Sequence, residues 1–293
     1  MSSVRDALAA AVDALRAAGV EDPRLDAEVL LGEATGRDRA YLAANPEAGV
    51  PADAGRRFAE MVRRRLRREP VAYILGRKGF RHLELAVDRR VLIPRPETEL
   101  LMELALELRP RTVLDVGTGS GAIALAVADE LPECEVVATD TSTDALKVAT
   151  ANAKRLGLSG RVHFAEGTIP DGLVARAAEG EGFDLILANL PYVPEGDWPS
   201  LQPEVTQWEP SEALLAGPDG LDAIRALLTQ LSRRMDTFHR IEGESDHSAL
   251  ALALEVGEGQ AEAVAELLGG AGFGAVQTRP DLAGIPRIVW GRR

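Results

Sequence analysis

The sequence predicts an α/β fold: a mostly parallel, Rossmann-like sheet of seven strands, with a small all-helical N-terminal domain and a β-hairpin linker. Three observations carry this prediction. Before residue 72 every periodic stretch has helical spacing. Residues 73–96 switch to a two-residue alternation around Phe80, Leu83, Leu85 and Val87. From Arg111 onward, strand-like and helix-like runs alternate, which implies a parallel sheet covered by helices. The expected organisation is therefore a helical domain over 1–72, a hairpin linker over 73–96 and an α/β domain over 97–293.

The helical part begins with VRDALAAAVDALRAAGV, whose apolar residues recur at helical spacing and which stops at Gly19, a suitable residue past a helix end. PRLDAEVLLGEATG repeats the pattern, DRAYLAANPEAGV is shorter, and PADAGRRFAEMVRRRLRREP reads as a long amphipathic helix closed by Pro70. Short connections between such helices indicate a small bundle. After the hairpin, Pro94 and Pro96 stiffen the entry to the helix ETELLMELALEL. The strands then read TVLDVGT, EVVATD, RVHFAEG, FDLILANL and ALALALEVG, with helices between most of them. The tail GAVQTRPDLAGIPRIVWGRR supplies two consecutive strands, which places an antiparallel partner at the end of the sheet. TFHRIEGESDHSA, Thr237–Ala249, is polar and aperiodic and reads as a mobile loop.

Composition narrows the function classes. The 293 residues carry 33 Lys and Arg against 46 Asp and Glu, a net charge of −13. The imbalance is uneven: residues 1–90 hold 17 basic and 14 acidic residues, the remainder 16 and 32. An acidic body argues against wide phosphate contact, because nucleic-acid affinity depends on neutralising many phosphates. RRRLRRE, Arg63–Glu69, is the one basic stretch, and it reads either as a solvated helix face or as a contact surface for an acidic partner. No run approaches the ~18 apolar residues of a membrane helix. The N-terminus lacks a signal-peptide apolar region, and a single cysteine, Cys134, fits a reducing cytoplasm. The four histidines, at 82, 163, 239 and 247, have no metal-ligand spacing, so no metal is expected.

VLDVGTGSGAIAL is strand, glycine-rich turn, helix. Gly117, Gly119 and Gly121 allow a tight turn and close approach of a ligand, and a helix starting near Ser120 turns its free N–H groups toward that turn. EVVATD ends in Asp140, 19 residues after Gly121, where an acid can accept hydrogen bonds from both hydroxyls of a ribose. Turn and acid together point to a nucleoside-bearing cofactor. Asp115, just before the turn, is placed to face a positively charged ligand. The sulfonium and amino groups of S-adenosylmethionine suit such an acidic pocket better than a pyrophosphate does.

Asn189 ends the fourth strand and Leu-Pro-Tyr follows, so this group lies at the same carboxyl end of the sheet as the glycine turn. Here the sequence resembles a known family. DVGTGSG with an acid after the second strand looks like class I S-adenosylmethionine-dependent methyltransferases. Asn-x-Pro-Tyr resembles the motif of enzymes that methylate planar amino groups. IPRPETELL, NLPYVPE, EPSEALLAGPDGLDAIR, LEVGEGQ and DLAGIPRIV together resemble the PrmC/HemK family, the protein-(glutamine-N5) methyltransferases of peptide-chain release factors. The resemblance covers nearly the whole chain. It implies a seven-stranded methyltransferase sheet and a cytoplasmic, monomeric enzyme whose helical domain docks a release factor, with no membrane and no stable nucleic-acid partner.

Carried over by position, the resemblance puts the cofactor loop on Gly117, Thr118, Gly119, Ser120 and Gly121, the ribose acid on Asp140, and a further cofactor contact near Thr168. The substrate motif falls on Asn189, Leu190, Pro191 and Tyr192, with Asn189 and Tyr192 as catalytic residues and Asn189 also beside the cofactor. Three departures stand out. Leu190 replaces the family's usual proline, as in ribosomal-RNA adenine dimethyltransferases; Thr168 stands where an acidic or aromatic residue is common; and 237–249 replaces a short Pro-Gly-Gly-like turn. The expected chemistry is methylation of a glutamine side-chain amide. Methylation of adenine N6 in RNA or DNA is the alternative, since the same group can hold either flat NH₂.

Overall fold

The computed structural model describes residues 2–169, 182–238 and 250–293, so most of the segment read as a mobile loop, 239–249, lies outside the described residues. The chain divides into two compact units, residues 1–77 with 202–208, and residues 78–201 with 209–293.

The first unit is helical. Helix α1 (Val4–Ala17) starts with a capping box: Ser3 Oγ accepts from Asp6 N at 3.1 Å while Asp6 accepts from Ser3 N at 3.3 Å. Helix α2 (Pro23–Thr35) opens on proline and closes on Gly36 in the left-handed conformation. Asp38 caps the short α3 (Arg39–Ala44) at Tyr41 N. With α4 (Ala52–Leu66) these helices bury Leu15, Leu30, Leu31, Leu42 and Phe58 in one core. The long helix ends at Leu66, before Pro70. Arg68 takes a left-handed conformation at φ 64°, which stops α4, and Pro70 instead precedes a further short helix α5 (Val71–Leu75), whose last three residues fall in the stretch 73–96 expected as hairpin linker.

The residues 202–208 bring the helix α9 (Pro203–Trp208) into this unit. Glu204 there accepts from Arg65 Nη2 at 2.6 Å and from Arg68 Nε at 2.8 Å, and Arg65 also pairs with Asp26 at 2.6 Å. Arg65 and Glu204 are 5% and 9% exposed, so this is a buried ion cluster. Arg64 pairs with Glu69, and Arg63 with Glu60. The basic stretch is thus largely spent on internal partners, with Arg65 inside the unit. Removing one member of a buried pair leaves an uncompensated charge. Glu204→Ala is therefore expected to destabilise the chain by about 3 kcal/mol in denaturant unfolding. Replacing Arg65 and Glu204 together by Met and Leu is expected to cost less.

The second unit opens with the hairpin β1 (Arg77–Phe80) and β2 (Leu83–Ala86), followed by α6 (Glu99–Leu108). Strand β3 (Thr112–Val116), α7 (Ala122–Glu130), β4 (Glu135–Asp140), α8 (Thr143–Arg155), β5 (Val162–Glu166) and β6 (Leu185–Ala188) follow. Helix α10 (Asp222–Phe238), β7 (Ala251–Glu255), α11 (Ala261–Gly270), β8 (Gly274–Pro280) and β9 (Pro286–Arg292) complete it. Among the described residues the sheet has seven strands in the order β5-β4-β3-β6-β7-β9-β8. The first five are mutually parallel, and β9 runs antiparallel to both β7 and β8.

Each central strand is buried on both faces, as parallel strands under helices are. In β6, Leu185 and Leu187 face one core with α6 and α7, while Ile186 and Ala188 face the other with α10 and α11. The strand order reverses at β3, whose neighbours are β4 and β6. Val116 is in register with Thr139 and with Ala188, so the residues after all three strands emerge side by side. A ligand crevice forms at such a switch point. Among the described residues no helix is long and apolar enough to cross a membrane.

Candidate active site

The turn after β3 is held from behind. Gly117 N and Thr118 N both donate to Thr139 O, at 2.8 and 2.9 Å. Gly121 sits at φ 84°, where a Cβ would meet Leu125 Cδ1 at 2.9 Å, so only glycine lets α7 start here. That helix begins at Ala122, two residues later than the sequence suggested. The Asn152 amide, fully buried on α8, donates to Ser120 O at 2.9 Å and pairs with both backbone groups of Ala86.

Asp140 reaches back into the turn. Its Oδ2 accepts from Gly119 N at 2.9 Å and its Oδ1 from Ser142 N at 2.8 Å, while Ser142 caps α8 through Ala145 N. A cavity of about 250 Å³ opens here, lined by Gly117, Gly119, Asp140 and Thr168 on one side and by Asn189, Leu190 and Pro191 on the other. The structure therefore brings the two sequence-predicted groups to one cavity. A Cβ on Gly119 would meet nothing within 4 Å, so the backbone there is open to a ligand. An acid at the rim, an open glycine backbone and a largely apolar wall fit a nucleoside-bearing cofactor such as S-adenosylmethionine.

Other predicted residues are not on the cavity wall. Thr118 and Ser120 are buried, and Gly121 stands behind them against Leu125. Thr118 Oγ1 donates to Asp115 Oδ2 at 2.6 Å, and Ala124 N donates to the same oxygen at 3.1 Å. Asp115 is fully buried and does not line the cavity, so its position corrects the expectation that it faces a cationic ligand: its carboxylate ties the turn to α7. Its Oδ1 has no hydrogen-bond partner among the described residues. Burial raises its pKa to about 7, against the bonds from Thr118 and Ala124.

Between the unfolded value of 3.8 and about 7, the folded chain holds a proton on Asp115 that the unfolded chain releases. The stabilisation from this group is full below the unfolded pKa and is lost as pH rises through about 7. Asp115→Asn keeps an acceptor for Thr118 and Ala124 but removes the titration. Its stability advantage over the native chain is expected to grow between pH 5 and pH 8, to the order of a few kcal/mol, in denaturant titrations at each pH.

On the other wall, Asn189 follows β6 directly. Its Nδ2 donates to Thr98 Oγ1 at 2.9 Å, which leaves Oδ1 as the acceptor end of the amide. It does not bond its own turn. Leu190 is 8% exposed, and its Cδ2 lies 3.2 Å from where a Gly117 Cβ would be, so the two walls touch through this side chain. Its main-chain carbonyl accepts no hydrogen bond among the described residues. Tyr192 stands outside the cavity lining, with its hydroxyl 3.5 Å from Glu255 Oε1 and its pKa pushed up to about 12, chiefly by burial.

The loop beyond is fixed by residues that sequence reasoning did not single out. Gln260 Nε2 donates to Tyr192 O at 2.9 Å, and its Oε1 accepts from Gly257 N at 2.9 Å. Val193 bridges to Leu215 through the 2.8 Å bond from Val193 N to Leu214 O. Glu209, buried, accepts from Ile93 N at 3.0 Å and pairs with Arg95, which anchors the segment before Thr98. The only advance signal was that Thr98, Glu209, Glu255 and Gln260 lie within the quoted family stretches.

The PrmC N-terminal domain family matches residues 6–76 and a methyltransferase domain family matches 110–234. The chain is 39% identical to the release factor glutamine methyltransferase of Koribacter versatilis over 99% of both chains. It is 43% identical to that of Xylella fastidiosa, over 95% of this chain and 97% of the relative. Among solved structures, the hMettl16 catalytic domain in complex with MAT2A 3'UTR hairpin 6 has the same fold, at a TM-score of 0.53 and 14% identity over 71% of this chain and 74% of that one. The chain belongs to the release factor glutamine methyltransferase family.

Proposed function

We propose that this protein transfers a methyl group from S-adenosylmethionine to the side-chain amide nitrogen of a glutamine in a peptide-chain release factor. The observation that carries the reading is the Asn189 amide, held by Thr98 so that its oxygen is the free end, on the wall opposite Asp140 and Gly119. Gly117, Gly119 and Thr168 would lie against the cofactor, with Thr118, Ser120 and Gly121 shaping the turn from behind. Asp140 would take the ribose hydroxyls. The helical unit docks the protein substrate.

The bound cofactor supplies a strongly electrophilic methyl group. A carboxamide nitrogen is a poor nucleophile because its lone pair is delocalised into the carbonyl, so it must be held in line. Asn189 Oδ1 accepts one substrate N–H and the Leu190 main-chain carbonyl accepts the other. These bonds orient the NH₂ and raise electron density on nitrogen; as the nitrogen takes the methyl group the bond from that carbon to sulfur breaks, and the excess proton leaves to water. Pro191 fixes the turn and the Tyr192 ring closes on the flat amide. Orientation of this kind is worth roughly 7–11 kcal/mol. Leu190 in place of proline is compatible with this role, since the group used is a carbonyl that both residues have.

Adenine has a flat amino group too. The basic stretch that best supported a nucleic-acid substrate is engaged with Glu60, Glu69, Asp26 and Glu204. Incubation with methyl-labelled S-adenosylmethionine, release factor and RNA together separates the readings. Label is expected on the release factor, and label confined to RNA would remove the proposal.

A further inference from the structure

Behind the Asn189–Tyr192 turn lies a carboxyl that the proposed chemistry does not use. Glu255 ends β7 and is 2% exposed. Its Oε1 accepts from the Tyr192 hydroxyl at 3.5 Å, the Thr98 hydroxyl lies close enough to oppose the rise in its pKa, and Oε2 has no hydrogen-bond partner among the described residues. A buried carboxyl so incompletely paired weakens the fold, and its presence calls for a reason.

Thr98 supplies one. It stands at the N-cap position of α6, where a threonine hydroxyl ordinarily accepts a backbone N–H, and it makes no such bond. Its Oγ1 accepts from Asn189 Nδ2 instead. A hydroxyl has one proton, so a Thr98 oxygen that accepts from Asn189 has that proton left for the Glu255 carboxylate. The donors run from Asn189 to Thr98 to Glu255, with Tyr192 donating to the same carboxylate from the other side. The two ends of an asparagine amide are nearly equal in shape, so only its partners decide which end faces the cavity.

We propose that Thr98 and Glu255 are positioning residues for methyl transfer: as a carboxylate, Glu255 orients the Thr98 hydroxyl so that Asn189 presents Oδ1 to the substrate, and it holds Tyr192 by its hydroxyl. This rests on the reading of Asn189 as the acceptor for the substrate amide. Burial raises the Glu255 pKa to about 7; the bonds from Thr98 and Tyr192 and the charge of Arg287 oppose this, and Glu97 adds to it. A protonated Glu255 offers a donor to Thr98, and the Asn189 amide is then free to turn.

The test uses Glu255→Gln, Thr98→Val and Thr98→Ser in the full chain, with kcat, KM for release factor, cofactor affinity and thermal unfolding measured for each. Glu255→Gln and Thr98→Val are expected to lower kcat roughly 10–100-fold with cofactor affinity within about threefold, as for other groups that orient a reacting side chain. Thr98→Ser is expected to restore most of the rate. The native kcat is expected to rise with pH through about 7, and Glu255→Gln to lose that rise. Unchanged kcat in Glu255→Gln and Thr98→Val, or a Thr98→Ser rate as low as that of Thr98→Val, overturns the proposal. Asn189→Ala assayed alongside keeps the two failures apart. If it is inactive while the other variants are normal, only the positioning role falls; if it is active, the role of Asn189 falls as well.

Discussion

Asn189→Ala is expected to reduce methyl transfer to release factor by at least about 100- to 1,000-fold, the loss typical of removing one fixed polar group that meets the reacting atoms. Cofactor binding is expected to persist. The side chain is anchored at Thr98 and ends at the cavity wall, so its loss is expected to remove the proposed acceptor for substrate without disturbing the turn after β3. Calorimetric titration with S-adenosylhomocysteine beside a rate measurement checks both halves. Near-normal turnover, or loss of cofactor affinity in step with rate, contradicts the assigned role.

The second large effect is expected at Asp140. Two charge-assisted bonds to ribose hydroxyls are worth roughly 3 kcal/mol together, so Asp140→Ala is expected to weaken cofactor binding about 100-fold. The same carboxylate also accepts from Gly119 N and Ser142 N, so it shapes the pocket before any ligand arrives. Asp140→Asn keeps one acceptor and is expected to fall between. The check is the cofactor dissociation constant, with thermal unfolding confirming that α8 still forms. Affinity within about threefold of native in the alanine variant would contradict the assignment.

Much of this architecture was legible in the sequence because it depends on local pattern. The alternation from Thr112 to Ala188 gave the parallel strands, and the glycine turn and Asp140 lie within 24 residues of one another. Asn189 was legible because a polar amide followed by Pro191 and Tyr192 interrupts an apolar strand. What escaped was set by contacts distant in sequence. Thr98 meets Asn189 across 91 residues, and Arg65 meets Glu204 across 139. The spacing of RRRLRRE therefore gave no sign that Arg65 would be buried or that residues 202–208 would join the helical unit. The role of Leu190 was half legible. Its carbonyl is the group that the proposed chemistry uses, yet its side chain also packs into the core and over Gly117, which proline would fill differently. Leu190→Pro is the natural probe of that second contribution.

The central claim is that a glutamine amide nitrogen receives the methyl group. Tandem mass spectrometry of release factor after incubation with this protein and S-adenosylmethionine tests it most directly. The account predicts one added methyl group on the side-chain nitrogen of a single glutamine, absent when Asn189→Ala replaces the native enzyme. Methylation of any other side chain, or a release factor left unmodified while RNA adenine is methylated, would contradict it.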